Sequence, residues 1–194
     1  MLYVKCKNGQ PVVSLTKPDD SWIEVDATLS DKIICKDGKP VVITSLTYEK
    51  QQLIENLKQQ LSNYILSFYP LQKQQYDLTK KDFWVSWLLV RRNDLTVDKI
   101  GQIAYDDAAK ILSGQSTFQE IVATYPSTIY TWNGMQVPES LAWEEILKVS
   151  VRIGWIKICT TQLDLIEKQI MQATSLDKFR NLDITQKLPP WPNI

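Results

Sequence analysis

The stretch Cys6-Lys7-Asn8-Gly9-Gln10-Pro11-Val12-Val13 returns 29 residues later as Cys35-Lys36-Asp37-Gly38-Lys39-Pro40-Val41-Val42. Each copy joins a short apolar run to Pro-Val-Val through Asn-Gly or Asp-Gly. Those pairs favour two-residue type I′ turns, which need positive φ at both central positions. The repeat therefore predicts two related β-hairpins. Strands are expected over residues 2–7, 11–15, 22–26, 32–36 and 41–44, with Lys17-Pro18-Asp19-Asp20-Ser21 as turn chemistry between them. Five strands this short make a small antiparallel sheet with one apolar face, which must lie against something else.

Near Thr47 the period changes. Ile54, Leu57, Leu61, Tyr64 and Phe68 recur at helical spacing, with Gln, Lys and Glu on the other face. This helix should stop before Pro70. Thr79-Lys80-Lys81-Asp82 reads as a capping box opening a second helix over 82–91. A third is expected over 97–112, ended by Ser113-Gly114, and a fourth, short one is capped by Ser116-Thr117. Ile129-Tyr130-Thr131-Trp132, Asn133-Gly134 and Met135-Gln136-Val137 form a third hairpin signal, inserted among the helices. Pro138 starts the longest helix. Its seam of Ile156, Cys159, Leu163, Ile166, Ile170 and Ala173 has a coiled-coil period but lasts under three heptads. Two outcomes stand open for it: an intramolecular hairpin with the 54–68 helix, or self-association. The fold class is thus α+β. The expected division is a β-hairpin subdomain (1–46), a helical body (47–187) with a hairpin near 129–137, and a Pro-rich tail (188–194) whose Trp191 docks on the domain or on a partner.

The chain has 194 residues, 44% hydrophobic and 23% charged, with zero formal net charge, so it can bury a core and carries no global field for nucleic acid or anionic lipid. No apolar run approaches the roughly 18 residues of a membrane span; Ser86-Trp87-Leu88-Leu89-Val90 is stopped by Arg91-Arg92. Seven Trp and eight Tyr serve cores first and interfaces second. Met1-Leu2-Tyr3-Val4-Lys5 reads as a strand and lacks the layout of a secretory signal, so Cys6, Cys35 and Cys159 are expected as reduced, buried, inert thiols in a cytoplasmic setting. Cys6 and Cys35 would approach one another only if the two repeats pack side by side.

Chemistry is sparse. The absence of histidine removes the commonest general base and metal ligand. The cysteines lack zinc spacing, and no phosphate-binding glycine loop or nucleophile elbow occurs. Asp19-Asp20, Asp106-Asp107 and Glu144-Glu145 are paired carboxylates, but adjacent acids on a helix point to different faces. Lys80-Lys81 and Arg91-Arg92 flank Trp84 and Trp87, a pattern that reads more simply as a core face beside solvated charge than as a nucleic-acid surface.

Three pieces together resemble the tail fibre assembly proteins, or tail fibre chaperones, of tailed phages. They are the Trp22-Ile23-Glu24-Val25 element after Pro18-Asp19-Asp20, the Lys36-Asp37-Gly38-Lys39-Pro40 strand leading into a Gln-, Leu- and Lys-rich helix, and the ending Leu188-Pro189-Pro190-Trp191-Pro192. They cover the first 65 residues and the last seven; the middle, 70–155, has no counterpart. The resemblance implies a non-enzymatic helper or accessory part that contacts a fibre protein, without cofactor or metal, in the host cytoplasm during assembly or in the virion. Partner contacts are expected at Trp132, Met135, Ile156, Leu163, Ile166, Ile170 and Trp191. A homo-oligomer joined through the seam and a carboxylate-based hydrolase are the alternatives.

Overall fold

The computed structural model describes residues 1–27, 31–43 and 45–194. It has an N-terminal antiparallel β part, a mainly helical body and one inserted hairpin. Two compact units emerge: Met1–Gln59 with Ile166–Leu182, and Gln60–Leu165 with Asp183–Ile194.

In the first unit the repeat sets structure residue by residue. Strands β1 (Leu2–Lys7) and β2 (Gln10–Ser14) pair with Tyr3 opposite Ser14 and Cys6 opposite Pro11. Strands β4 (Lys32–Lys36) and β5 (Lys39–Ile43) reproduce that register, Lys32 opposite Ile43 and Cys35 opposite Pro40. Asn8, Gly9, Asp37 and Gly38 all have positive φ, as type I′ turns require. One expectation is corrected. The five strands form two sheets, β2-β1-β3 (β3 is Ile23–Val25) and β4-β5, because a two-residue hairpin closes each repeat on itself. The expected end of the fifth strand, Thr44, lies outside the described residues.

The sheets stack. β1 lies by β5 and β2 by β4, the arrangement a two-fold exchange of the hairpins would give. Between them sit buried Leu2, Val4 and Ala27, with Val25, Ile33 and Val42 packed around. At the repeat's equivalent positions Cys6 and Cys35 are joined in a disulfide, both half-buried. The expectation of reduced, buried thiols is therefore overturned for this pair, since face-to-face packing of equivalent hairpins brings equivalent residues together. Cys159 is the buried free cysteine, and burial pushes its thiol up to about 11.

Helix α1 (Ser45–Phe68) and the long helix α5 (Glu139–Gln172) contribute to both units. In the first, Lys50 Nζ donates to the Met171 carbonyl (2.9 Å) and Lys58 pairs with Glu167 (3.6 Å). In the second, Tyr64 meets Trp155 with ring centroids 5.8 Å apart. Within the first unit the two helix segments thus run antiparallel. Helix α2 (Leu71–Arg91) starts directly after Pro70, eleven residues earlier than expected. The 71–78 segment is rich in Leu, Gln and Lys, strong helix formers, so Pro70 ends one helix and leads straight into the next. Thr79 lies within α2 and donates its hydroxyl back to the Gln75 carbonyl (3.0 Å) rather than capping. Helix α3 (Val97–Leu112) is capped by Thr96, and α4 (Phe118–Val122) by a full capping box of Thr117 and Glu120.

Candidate functional site

The inserted hairpin is β6 (Ile129–Trp132) and β7 (Met135–Pro138), turned by Asn133 (φ 49) and Gly134 (φ 78). Tyr130 stands opposite Val137, and Trp132 opposite Met135, so these four share one face. The Tyr130 end of that face is core: Val137 is buried with Trp84, Trp87, Leu88, Trp143 and Ile146, and the Tyr130 and Trp87 rings lie 5.5 Å apart. Toward the tip the same face emerges. Trp132 is half-buried, its ring 5.5 Å from Phe83 of α2, while Phe83 remains 42% and Met135 55% exposed.

A buried carboxylate locks the hairpin's base. Glu139, fully buried at the start of α5, accepts from Arg92 Nη1 (2.6 Å), the Trp143 indole (3.1 Å) and the Tyr130 hydroxyl (3.4 Å). Its own backbone N–H donates to the Thr128 carbonyl (2.7 Å). Arg92 also grips Asp94 through two hydrogen bonds, of 2.8 and 2.7 Å. The paired donors are the condition under which a carboxylate tolerates burial. By contrast the indole N–H groups of Trp84 and Trp87 are buried without a partner, and Arg91 lies over the Trp87 ring at 3.9 Å.

The other acids noted in the sequence are held in the same structural manner. Asp107 is buried and accepts from the Tyr125 hydroxyl (3.0 Å) and Lys110 (2.8 Å); burial, then the Asp107 charge, pushes the Tyr125 phenol up. Its neighbour Asp106 accepts from Gln102 (2.8 Å). Glu144 and Glu145 both pair with Lys148, and Glu145 also with Lys80 (2.7 Å). Asp19 accepts from the Ser21 backbone and hydroxyl, and Asp20 from Lys17. Among the described residues, no three His, Cys, Asp or Glu come together as a metal cluster, and no helix is long and apolar enough to cross a membrane.

A second feature was not signalled by any motif. Helices α3 and α5 leave an open, largely apolar groove of about 620 Å³ between them, whose lining includes Gly101, Ala108, Ala109 and Gly154. Lys81 of α2 and Lys157 of α5 line it, and Lys157 Nζ lies over the Tyr105 ring at 5.7 Å. A Cβ on Gly154 would come within 2.6 Å of Leu112 Cδ1, so the glycine accommodates the neighbouring leucine. Glycine inside a helix costs about 0.5–1 kcal/mol relative to alanine. Gly101 and Gly154 were therefore the available trace of this groove in the sequence.

The expected partner residues divide. Trp132 and Met135 lie together on the hairpin tip. Leu163 and Ile170 are buried within the fold, as is Cys159 of the same seam, while Ile156 and Ile166 are half-buried. Trp191 of the tail docks on its own chain, stacked on Phe68 (5.9 Å) and against Tyr69 (5.5 Å) and Trp155 (4.9 Å). The Trp155 indole fastens the tail by donating to the Pro189 carbonyl (3.0 Å). Compared with known proteins, the chain matches no family model, no curated protein and no solved structure.

Proposed function

We propose that this chain is a non-enzymatic interaction protein of the tail fibre assembly type, a chaperone or small tail accessory component, that grips a β-rich fibre protein through the tip of its β6–β7 hairpin. The carrying observation is the surface of exposed Met135 and Phe83 beside half-buried Trp132, at the tip of a hairpin whose base is pinned by Glu139. Aromatic and methionine side chains presented on a pre-ordered element suit a protein interface, since little side-chain freedom is lost on binding. The fibre as partner rests on the resemblance of the N-terminal strands and Trp-Pro ending.

The engagement of each paired carboxylate by structural donors supports a binding role over carboxylate hydrolysis. Burial of Leu163 and Ile170 by this same chain weighs against a homo-oligomer through the seam. The Cys6–Cys35 disulfide favours an oxidising destination, such as the virion surface, over permanent residence in the cytoplasm. The test is co-expression with a β-rich tail fibre protein. The fibre should co-purify with the wild-type chain and be lost with Met135→Glu, which places a charge in the exposed tip. A fibre that is soluble and well folded without this chain, or held equally by the variant, rejects the reading.

A further inference from the structure

Independently of that interface, we propose that the groove between α3 and α5 is a binding site for a long-chain fatty carboxylate. Three observations converge. First, shape: its α3 wall runs from Gly101 to Ser113, about 18 Å at helical rise, with Gly and Ala among its lining residues, so it is long enough for an extended chain. Its volume, about 620 Å³, lies in the range of ligand sites. Second, charge: the lining contains two lysines and no carboxylate. Between residues 60 and 165, Lys73, Lys80, Lys99, Lys110 and Lys148 each donate to an acceptor of the fold. Lys81 and Lys157 of the same span have no such acceptor among the described residues, and both line the groove. Third, the aliphatic hydroxyls in the lining donate to backbone carbonyls. Ser113 donates to the Lys110 carbonyl, Ser150 to Ile146 and Thr161 to Lys157. The two ammonium groups are thus the charged features offered to a ligand, beside the neutral Tyr105 hydroxyl and Gln162 amide, and the wall is otherwise largely apolar. An anionic head on an unbranched apolar body satisfies both; a neutral lipid leaves the lysines unmatched, and a compact hydrophilic anion leaves the groove empty.

The test uses the full chain and the fluorescent fatty acid cis-parinaric acid. Saturable fluorescence enhancement is expected, with displacement by octanoate, decanoate and dodecanoate strengthening roughly fourfold for each added methylene. The methyl ester of dodecanoate should compete at least about tenfold less well, because it lacks the charge. Lys81→Met with Lys157→Met should weaken cis-parinaric acid by a similar factor, and the corresponding double Arg variant should restore it. Ala109→Trp, at an exposed position in the groove, should abolish binding while leaving the circular dichroism spectrum and Tm unchanged. Absence of saturable binding, indifference to chain length, equal competition by the ester, or equal affinity in the folded Met and Trp variants would each overturn the proposal.

Discussion

Removing the Cys6–Cys35 disulfide should loosen the β part selectively. The bridge spans 29 residues of sequence. In the chain-entropy account a loop of that size restricts the unfolded state by about 3.5 kcal/mol. The apolar core it protects is small: Leu2, Val4 and Ala27 are its buried members, and the leucine and valine contribute about 1.5–3 kcal/mol each. The staple is therefore comparable with that core. The perturbation is Cys6→Ser with Cys35→Ser, and the assay is amide hydrogen exchange followed by mass spectrometry. Exchange through opening of the β part should accelerate by about 300-fold in peptides covering β1, β4 and β5, since each 1.4 kcal/mol is tenfold. Peptides covering α5 from Val149 to Leu163, buried in the other unit, provide the internal reference and should not change. An acceleration below about threefold in the strands would refute the reasoning, as would thiol labelling of Cys6 and Cys35 in protein never exposed to reductant.

Glu139→Ala should cost about 3 kcal/mol in urea denaturation, because it strands the Trp143 indole and one Arg92 contact; a loss under 1 kcal/mol contradicts the buried-anchor reading. Thr117→Ala should cost about 1 kcal/mol by opening the α4 capping box, measured the same way. Gly134→Val should raise the energy of the β6–β7 turn by about 1–2 kcal/mol because φ there is 78, and should broaden the amide resonances of 129–137. Asp77 supplies a pH dependence. Burial raises its pKa, but hydrogen bonds from Lys73 and Tyr69 and the Arg152 charge outweigh this and hold it below the ordinary 3.8. Its stabilisation is complete above that ordinary value and lost as pH falls through the lower native one. Stability should therefore drop below about pH 4, and Asp77→Asn should remove that limb of the curve.

The hairpins were legible because their information is local. Asn8-Gly9, Asp37-Gly38 and Asn133-Gly134 each admit few alternatives to a type I′ turn, and the alternation around them fixes register. The amphipathic period of α1, the end of α3 at Ser113-Gly114 and the capping of α4 were legible for the same reason. What failed was non-local or locally ambiguous. Thr79 and Asp82 imitate a helix start inside α2, where propensity from Leu71 onward decides the matter. Two sheets and one sheet share the same strand pattern, and only packing separates them. The Cys6–Cys35 bridge needed the two-fold stacking of the repeats, which sequence spacing alone does not contain. The groove needed the pairing of α3 with α5; Gly101 and Gly154 hinted at it without naming its partners.

The most direct test of the proposed function is the hydrogen-exchange footprint of the fibre on this chain in the co-purified complex. The account predicts protection of residues 129–138 and of the α2 turn around Phe83, with the β1–β5 strands unaffected. Protection confined to those strands, or absent from the β6–β7 tip, would contradict it.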